Sequence, residues 1–151
     1  FNITNTTAQE VETYPYWINM SKLFEIHVLR LLRQSYPQGV YFQKQYAGRI
    51  PDLVLDLPTY KAIIDVKYKP YDERSLDIED IRQVAAYSKM KSIYADLKID
   101  RSQCLDAIII YPKVDSKHTV INTEILSQKQ ELRDYYAIYK LDVQLPILRK
   151  L

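Results

Sequence analysis

Two acids and a lysine at fixed spacing are the residues of this chain best suited to chemistry: Asp52 in Ile50-Pro51-Asp52, and Asp65 and Lys67 in Ile63-Ile64-Asp65-Val66-Lys67. Alternation along a strand puts Asp65 and Lys67 on one face, in the row that also carries Ile63. The two segments are joined through Leu57-Pro58-Thr59-Tyr60. A hairpin centred between Pro58 and Thr59, without a bulge, sets Asp52 directly opposite Asp65 with side chains about 5 Å apart. Two carboxylates that close repel, and one is driven to protonate unless a cation lies between them. A hard divalent ion such as Mg²⁺ takes oxygens from one or two carboxylates, sometimes a backbone carbonyl, and several waters. Lys67 on the same face can hold or deprotonate a water at such an ion and offset phosphate charge. A solvated, ion-paired edge hairpin uses the same tripeptide, and D-x-K triplets are common, so the choice depends on the surrounding elements.

Those elements follow from hydrophobic periodicity. The spacing predicts a helix from Tyr16 to about Ser35, with Phe24, Val28, Leu31 and Leu32 on one stripe, Glu25 on its flank, and His27, Arg30 and Gln34 on the other side. Trp17 is expected to pack at the helix start. Strand-like segments follow at about 40–46, 50–57 and 61–69, rich in Val, Ile, Leu and Tyr. A second helix is expected from Asp77 to about Leu97, with Asp77 as N-cap and Glu79 and Asp80 in the first turn, where the helix dipole favours acids. Its apolar face carries Ile78, Ile81, Val84, Ala85 and Ser88, and Gln83, Tyr87, Met90 and Tyr94 form a separate ridge. Leu105 to Tyr111 reads as a buried central strand ended by Pro112. Further strands are expected near 118–125 and 134–143, the latter with Tyr135, Ala137, Tyr139 and Leu141 on one face. Residues 1–15 read as a linker or N-terminal arm and residues 16–151 as one domain. Helix, three strands, helix, strands is the order of an α/β fold with a mixed sheet flanked by helices.

Composition bounds the function. The chain has 151 residues, 47% hydrophobic and 26% charged, enough for one domain with a real core. Lys and Arg total 21 against 19 Asp and Glu, and a net charge of +2 selects no partner. The single cysteine, Cys104, excludes a disulfide framework, a cysteine zinc site and an iron-sulfur cluster held by this chain alone, which points to a reducing, cytoplasmic compartment. It also argues against glycosylation at the sequons of Asn2 and Asn5. No apolar run approaches bilayer length, no signal peptide is evident, and no membrane partner is expected. The start at Phe1 suggests a piece of a longer protein. No Gly-rich phosphate loop is present, so nucleotide hydrolysis by this chain is not expected. Lys44, Arg49, Lys69, Arg74 and Lys89 are candidates to line a nucleic-acid path.

With these elements in order, the chain resembles the PD-(D/E)xK nuclease superfamily, whose motif here is Pro51-Asp52 and Asp65-Val66-Lys67. Glu25 stands where that superfamily places an acid, on a helix before the first strand. Gln83-Val84-Ala85-Ala86-Tyr87 is similar to the QxxxY motif of RecB-like nucleases. Within the superfamily, Phe24-Glu25, Arg49 to Asp52, Ile64 to Lys69, and Ile81-Arg82-Gln83 with Ala86-Tyr87 are similar to the C-terminal nuclease domain of McrC, the cleavage subunit of McrBC modification-dependent restriction systems. The resemblance is dense from about Lys22 to Tyr94 and thin after Leu105. It implies a restriction-endonuclease-like fold that hydrolyses phosphodiester bonds of double-stranded DNA with Mg²⁺, or Mn²⁺ in its place, beside a McrB-like GTPase motor subunit. In that reading Asp52, Asp65 and the Val66 carbonyl hold the metal, with Glu25 reaching it directly or through water. Lys67 positions the attacking water, and Gln83 and Tyr87 orient Lys67 or contact the phosphate. His27 is a weaker upstream candidate, about 200° around the helix from Glu25. The alternatives are another RecB-like nuclease in repair or end processing, and a non-catalytic interaction domain that retains the fold.

Overall fold

The computed structural model describes residues 17–69, 77–113 and 124–146. The predicted arm, the segment with Arg74, most of the strand expected near 118–125 and the end of the chain lie outside them. Helix α1 (Met20–Ser35) starts later than Tyr16 because Asn19 supplies the cap, its side chain accepting from the Lys22 amide at 3.0 Å. It buries Phe24, Val28, Leu29 and Leu32, so Leu29 takes the central place expected of Leu31. Trp17 lies before the cap and is 95% exposed, which corrects its expected packing role.

Six strands follow: β1 (Val40–Phe42), β2 (Leu53–Asp56), β3 (Lys61–Val66), β4 (Asp106–Lys113), β5 (Gln130–Glu131) and β6 (Ile138–Gln144). They form one mixed sheet in the order β1-β2-β3-β4-β6-β5, with β3, β4 and β6 parallel and the other neighbours antiparallel. Between β3 and β4 the chain passes through α2 (Ile78–Tyr87) and α3 (Lys91–Asp96), the crossover a parallel pair requires. The β2/β3 hairpin closes through Pro58 and Thr59, with the Leu57 amide donating to the Tyr60 carbonyl at 2.9 Å. Its pairs Leu53↔Ile64 and Val54↔Ile63 are the register expected from the sequence.

That register divides the core. Leu53, Leu55, Ala62, Ile64, Val66, Ile108 and Ile110 face α1, whereas Val54, Ile63, Ala107, Ile109 and Tyr111 face the α2 and α3 layer. Covered on both sides, β3 and β4 read as nearly continuous apolar runs, with Asp65 as the charged interruption.

Several boundaries differ from the sequence reading for local reasons. The single helix expected from Asp77 to Leu97 is two: the Ser88 hydroxyl donates back to the Ala85 carbonyl at 3.0 Å, and Met90 is extended before α3. Strand β4 runs through Pro112 instead of ending before it. Ile110 accepts from the Lys67 amide, so Pro112 two residues on faces the same side, where β3 has already ended and no donor is needed. Strand β6 begins at Ile138, after Ala137 at φ 58, so Tyr135 and Ala137 belong to the preceding turn. Ile125 opens a 3₁₀ turn, Ile125–Gln128, rather than ending a strand, and the short β5 was not anticipated.

Gly39 precedes β1 at φ +84, and a Cβ there would stand 2.5 Å from the Asp56 carbonyl oxygen. The Asp56 amide donates to Gly39 at 2.8 Å, so the backbones cannot separate without breaking the β1/β2 edge. Gly39→Ala is expected to destabilise the fold by about 2–3 kcal/mol, read as a lower urea midpoint at unchanged denaturant slope.

Candidate functional site

Two residues beyond the Val54↔Ile63 pair, the same register brings Asp52 and Asp65 to the open end of the hairpin on the α2 face. Asp65 is 1% exposed and Asp52 is half-buried. The Asp52 Oδ2 accepts from the Val66 amide at 2.7 Å. Because the Lys67 amide donates to Ile110 of β4, strand alternation turns both the N–H and the carbonyl of Val66 the other way, towards Asp52. Lys67 Nζ lies 2.9 Å from Asp65 Oδ2 and donates to Gln83 Oε1 at 2.7 Å. Gln83 Nε2 in turn donates to the Tyr87 hydroxyl at 3.4 Å. Asp65, Lys67, Gln83 and Tyr87 are therefore one connected chain, joining the end of β3 to α2.

Glu25 stands apart. It comes from α1, on the opposite face of the sheet, and its Oε2 pairs with Lys22 at 3.0 Å and accepts from Gln43 at 3.3 Å. Gln43 links it to the site through its backbone amide, which donates to the Asp52 carbonyl at 2.9 Å. His27 is not brought to the acids: its Nε2 lies 3.0 Å from the Gln144 carbonyl and its ring stacks on Phe24.

The electrostatics follow from burial. Desolvation pushes the Asp52 carboxyl up to about 6; the Val66 amide opposes the shift, and the charges of Asp65 and Glu25 add to it. Desolvation likewise raises Asp65, against the pull of Lys67. For Lys67, burial alone would lower the pKa, but Asp65, then Asp80 and Asp52, outweigh it and hold the ammonium above its usual range.

Among the described residues no three His, Cys, Asp or Glu side chains converge as a ready-made metal cage. The donor set is smaller and all oxygen: the carboxylates of Asp52 and Asp65, with the Val66 carbonyl on the same side. Asp65 Oδ2 is buried and receives no directed hydrogen bond, since Lys67 approaches it as an ion pair outside hydrogen-bond geometry. Two desolvated acids with raised pKa values and one unsatisfied oxygen fit a hard divalent cation that keeps most of its waters. They do not fit zinc, whose sites draw on His and Cys.

The sequence reading missed Asp80. Read only as a first-turn acid that suits the helix dipole, it is 5% exposed, accepts from the Tyr111 hydroxyl at 2.9 Å and pairs with Lys69. The available signal was its spacing, three and seven residues before Gln83 and Tyr87, which puts all three on one helical stripe.

No family model matches the chain, and neither does any curated protein. Its fold is similar to a chain in the solved Thermococcus gammatolerans assembly of McrB AAA+ hexamers with bound McrC, at a TM-score of 0.51 and 21% identity. The similarity covers 85% of this chain and 28% of that one. No described helix is long and apolar enough to cross a membrane.

A raised carboxyl pKa means that the folded state binds the Asp52 proton more tightly than the unfolded state does. Its stabilising contribution is present below about pH 4 and is lost as pH rises through about 6. Asn at this position keeps an oxygen for the Val66 amide and removes the charge. Metal-free Asp52→Asn is expected to be more stable than the parent by about 1–2 kcal/mol at pH 8 and no more stable at pH 4, as read by thermal unfolding. A lower melting temperature at pH 8 would mean that the ionised carboxylate is a net stabiliser.

Proposed function

We propose that this chain is a Mg²⁺-dependent nuclease domain that hydrolyses phosphodiester bonds of double-stranded DNA, as the cleaving part of a McrBC-type restriction assembly driven by a McrB-like GTPase. The observation that carries the reading is the convergence of Asp52, Asp65 and Lys67 at one strand end, with Gln83 fixed on the lysine. A sheet end built only for packing has no use for two acids whose pKa values are both raised by burial, with the charge of Asp65 adding to the shift of Asp52.

Asp52, Asp65 and the Val66 carbonyl would hold the cation, and Mn²⁺ fits the same oxygens. When bound, Mg²⁺ supplies positive charge where the phosphate becomes more negative during in-line displacement. Lys67, kept as an ammonium by the acids around it, donates to a water or a non-bridging phosphate oxygen. Gln83 restricts where that ammonium can point, and Tyr87 steadies Gln83 from one turn further along α2. Glu25, already held by Lys22 and Gln43, would reach the cation through water.

The partner assignment is supported by the fold similarity to a chain of the McrB and McrC assembly, together with the motif resemblance from Lys22 to Tyr94. Because the similarity spans 28% of the matched chain, the parts that engage the motor and read the DNA modification are assigned to other regions of the protein.

The reading is tested with the full-length protein assembled with its motor, GTP and modified duplex DNA. Asp65→Ala is expected to lower the cleavage rate by about three orders of magnitude, and Lys67→Ala by at least about a hundredfold. Cleavage stops on chelation, returns with Mg²⁺ or Mn²⁺, and falls at acid pH, where protons compete with the cation for Asp52. Wild-type cleavage by Asp65→Ala would refute the assignment, and activity on free DNA ends without GTP would favour an end-processing nuclease instead.

A further inference from the structure

A carboxylate in the first turn of a helix ordinarily faces solvent, where it complements the helix dipole. Asp80 does not: it is 5% exposed and lies between α2 and the sheet. Burying an acid is costly unless it is paired and hydrogen-bonded. Asp80 has both on one oxygen, with the Tyr111 hydroxyl donating at 2.9 Å and Lys69 Nζ at 2.5 Å. Lys69 also pairs with Asp77, the N-cap of α2, at 2.8 Å. The start of α2 is thus tied to two neighbouring strands, through Lys69 just past the end of β3 and through Tyr111 in β4.

The remaining contacts of α2 with the sheet are apolar, through Ile81 and Val84 against Ala107, Ile109 and Tyr111. Such contacts are not directional and fix the distance of a helix from a sheet better than its position along the sheet. The bonds to Asp80 have fixed length and direction. One turn beyond Asp80 on the same stripe, Gln83 Oε1 meets Lys67 Nζ at 2.7 Å, and a displacement of the helix along its axis would move that acceptor relative to the ammonium. The charge of Asp80 also acts on Lys67 and Asp65 across the same interface.

We infer that Asp80, clamped by Tyr111 and Lys69, is a positioning residue that sets α2 so that Gln83 holds the Lys67 ammonium. It contacts no reacting atom and acts through Gln83. The role in catalysis rests on the proposed nuclease reading; the mechanical coupling does not.

Two variants test it in the full-length protein assembled with its motor. Asp80→Asn keeps size and one acceptor while removing the charge, and Tyr111→Phe removes only the hydroxyl. Each is expected to lower the maximal cleavage rate about 10- to 100-fold with the half-saturating DNA concentration unchanged. Added to Gln83→Ala, Asp80→Asn is expected to cost less than about a further twofold, because its effect runs through the residue already removed. A residue that only stabilises the fold would reduce the titre of active sites, leave the rate per site unchanged, and multiply with Gln83→Ala; that pattern overturns the inference. Should Asp80→Asn be unfolded at the assay temperature, Tyr111→Phe carries the same test. Absence of cleavage by the wild type would refute the nuclease reading and leave the clamp to a second readout. The melting-temperature shifts of Asp80→Asn and Gln83→Ala must then be non-additive in the double variant, and additive shifts overturn the clamp.

Discussion

A carboxylate with 1% exposure at the end of a central strand is the constraint on which the surrounding structure depends. Asp65 occupies a face otherwise lined by Val54, Ile63, Ala107 and Ile109, and it is kept there by a lysine two residues further along the same strand. Burying that ammonium in turn requires an acceptor, and Gln83 of α2 provides one. The position of α2 then matters to within hydrogen-bond tolerance, which brings in Asp80, Tyr111 and Lys69. Each polar group leans on the next, so the arrangement behaves as one network rather than as separate pairs.

The two ends of the sheet show how unusual this is. At the hairpin end, Lys129 lies over the rings of Tyr60 and Tyr139, 4.2 Å from each centroid, and donates to the Tyr60 hydroxyl at 2.7 Å and to Asp106 at 3.1 Å. Tyr60 itself donates to Asp106 at 2.7 Å. One cation, one acid and two aromatic rings there satisfy one another and join the hairpin to β4 and β6. At the opposite end, burial raises the pKa of both Asp52 and Asp65, and a buried oxygen of Asp65 lacks a directed hydrogen bond. Local polar imbalance of this kind supports the proposed cation site.

Much of this was legible in the sequence because it follows from counting. Period-two alternation placed Asp65 and Lys67 together, and the turn at Pro58 and Thr59 fixed the register that brings Asp52 opposite. The Asp77 cap and the approach of Gln83 to Lys67 followed from helix rules and motif resemblance. The remainder depended on contacts between elements. Helical spacing puts Asp80, unlike the exposed Glu79 beside it, on the stripe of Gln83 and Tyr87, but the partners that make its burial tolerable, Lys69 and a tyrosine 31 residues away, come from the fold. The break at Ser88 was hidden because Ser88, Lys89 and Met90 continue the helical pattern while the serine hydroxyl competes for the backbone. Pro112 read as a strand end, yet its missing donor costs nothing where β3 has already stopped.

The lysines of the site are engaged by acids in the metal-free protein: Lys67 by Asp65, Lys69 by Asp77 and Asp80, Lys22 by Glu25. An overall charge of +2 says little about the site, where positive and negative groups are paired locally. On the proposed reading the pairing has a consequence. A divalent cation held by Asp52 and Asp65 would compete with Lys67 for the charge of these acids and so weaken their hold on the ammonium. Gln83, a neutral acceptor, is unaffected by that competition and keeps Lys67 in place. The lysine would then turn from balancing an acid to facing a phosphate without changing its anchor, which assigns to Gln83 a role that a third carboxylate could not fill.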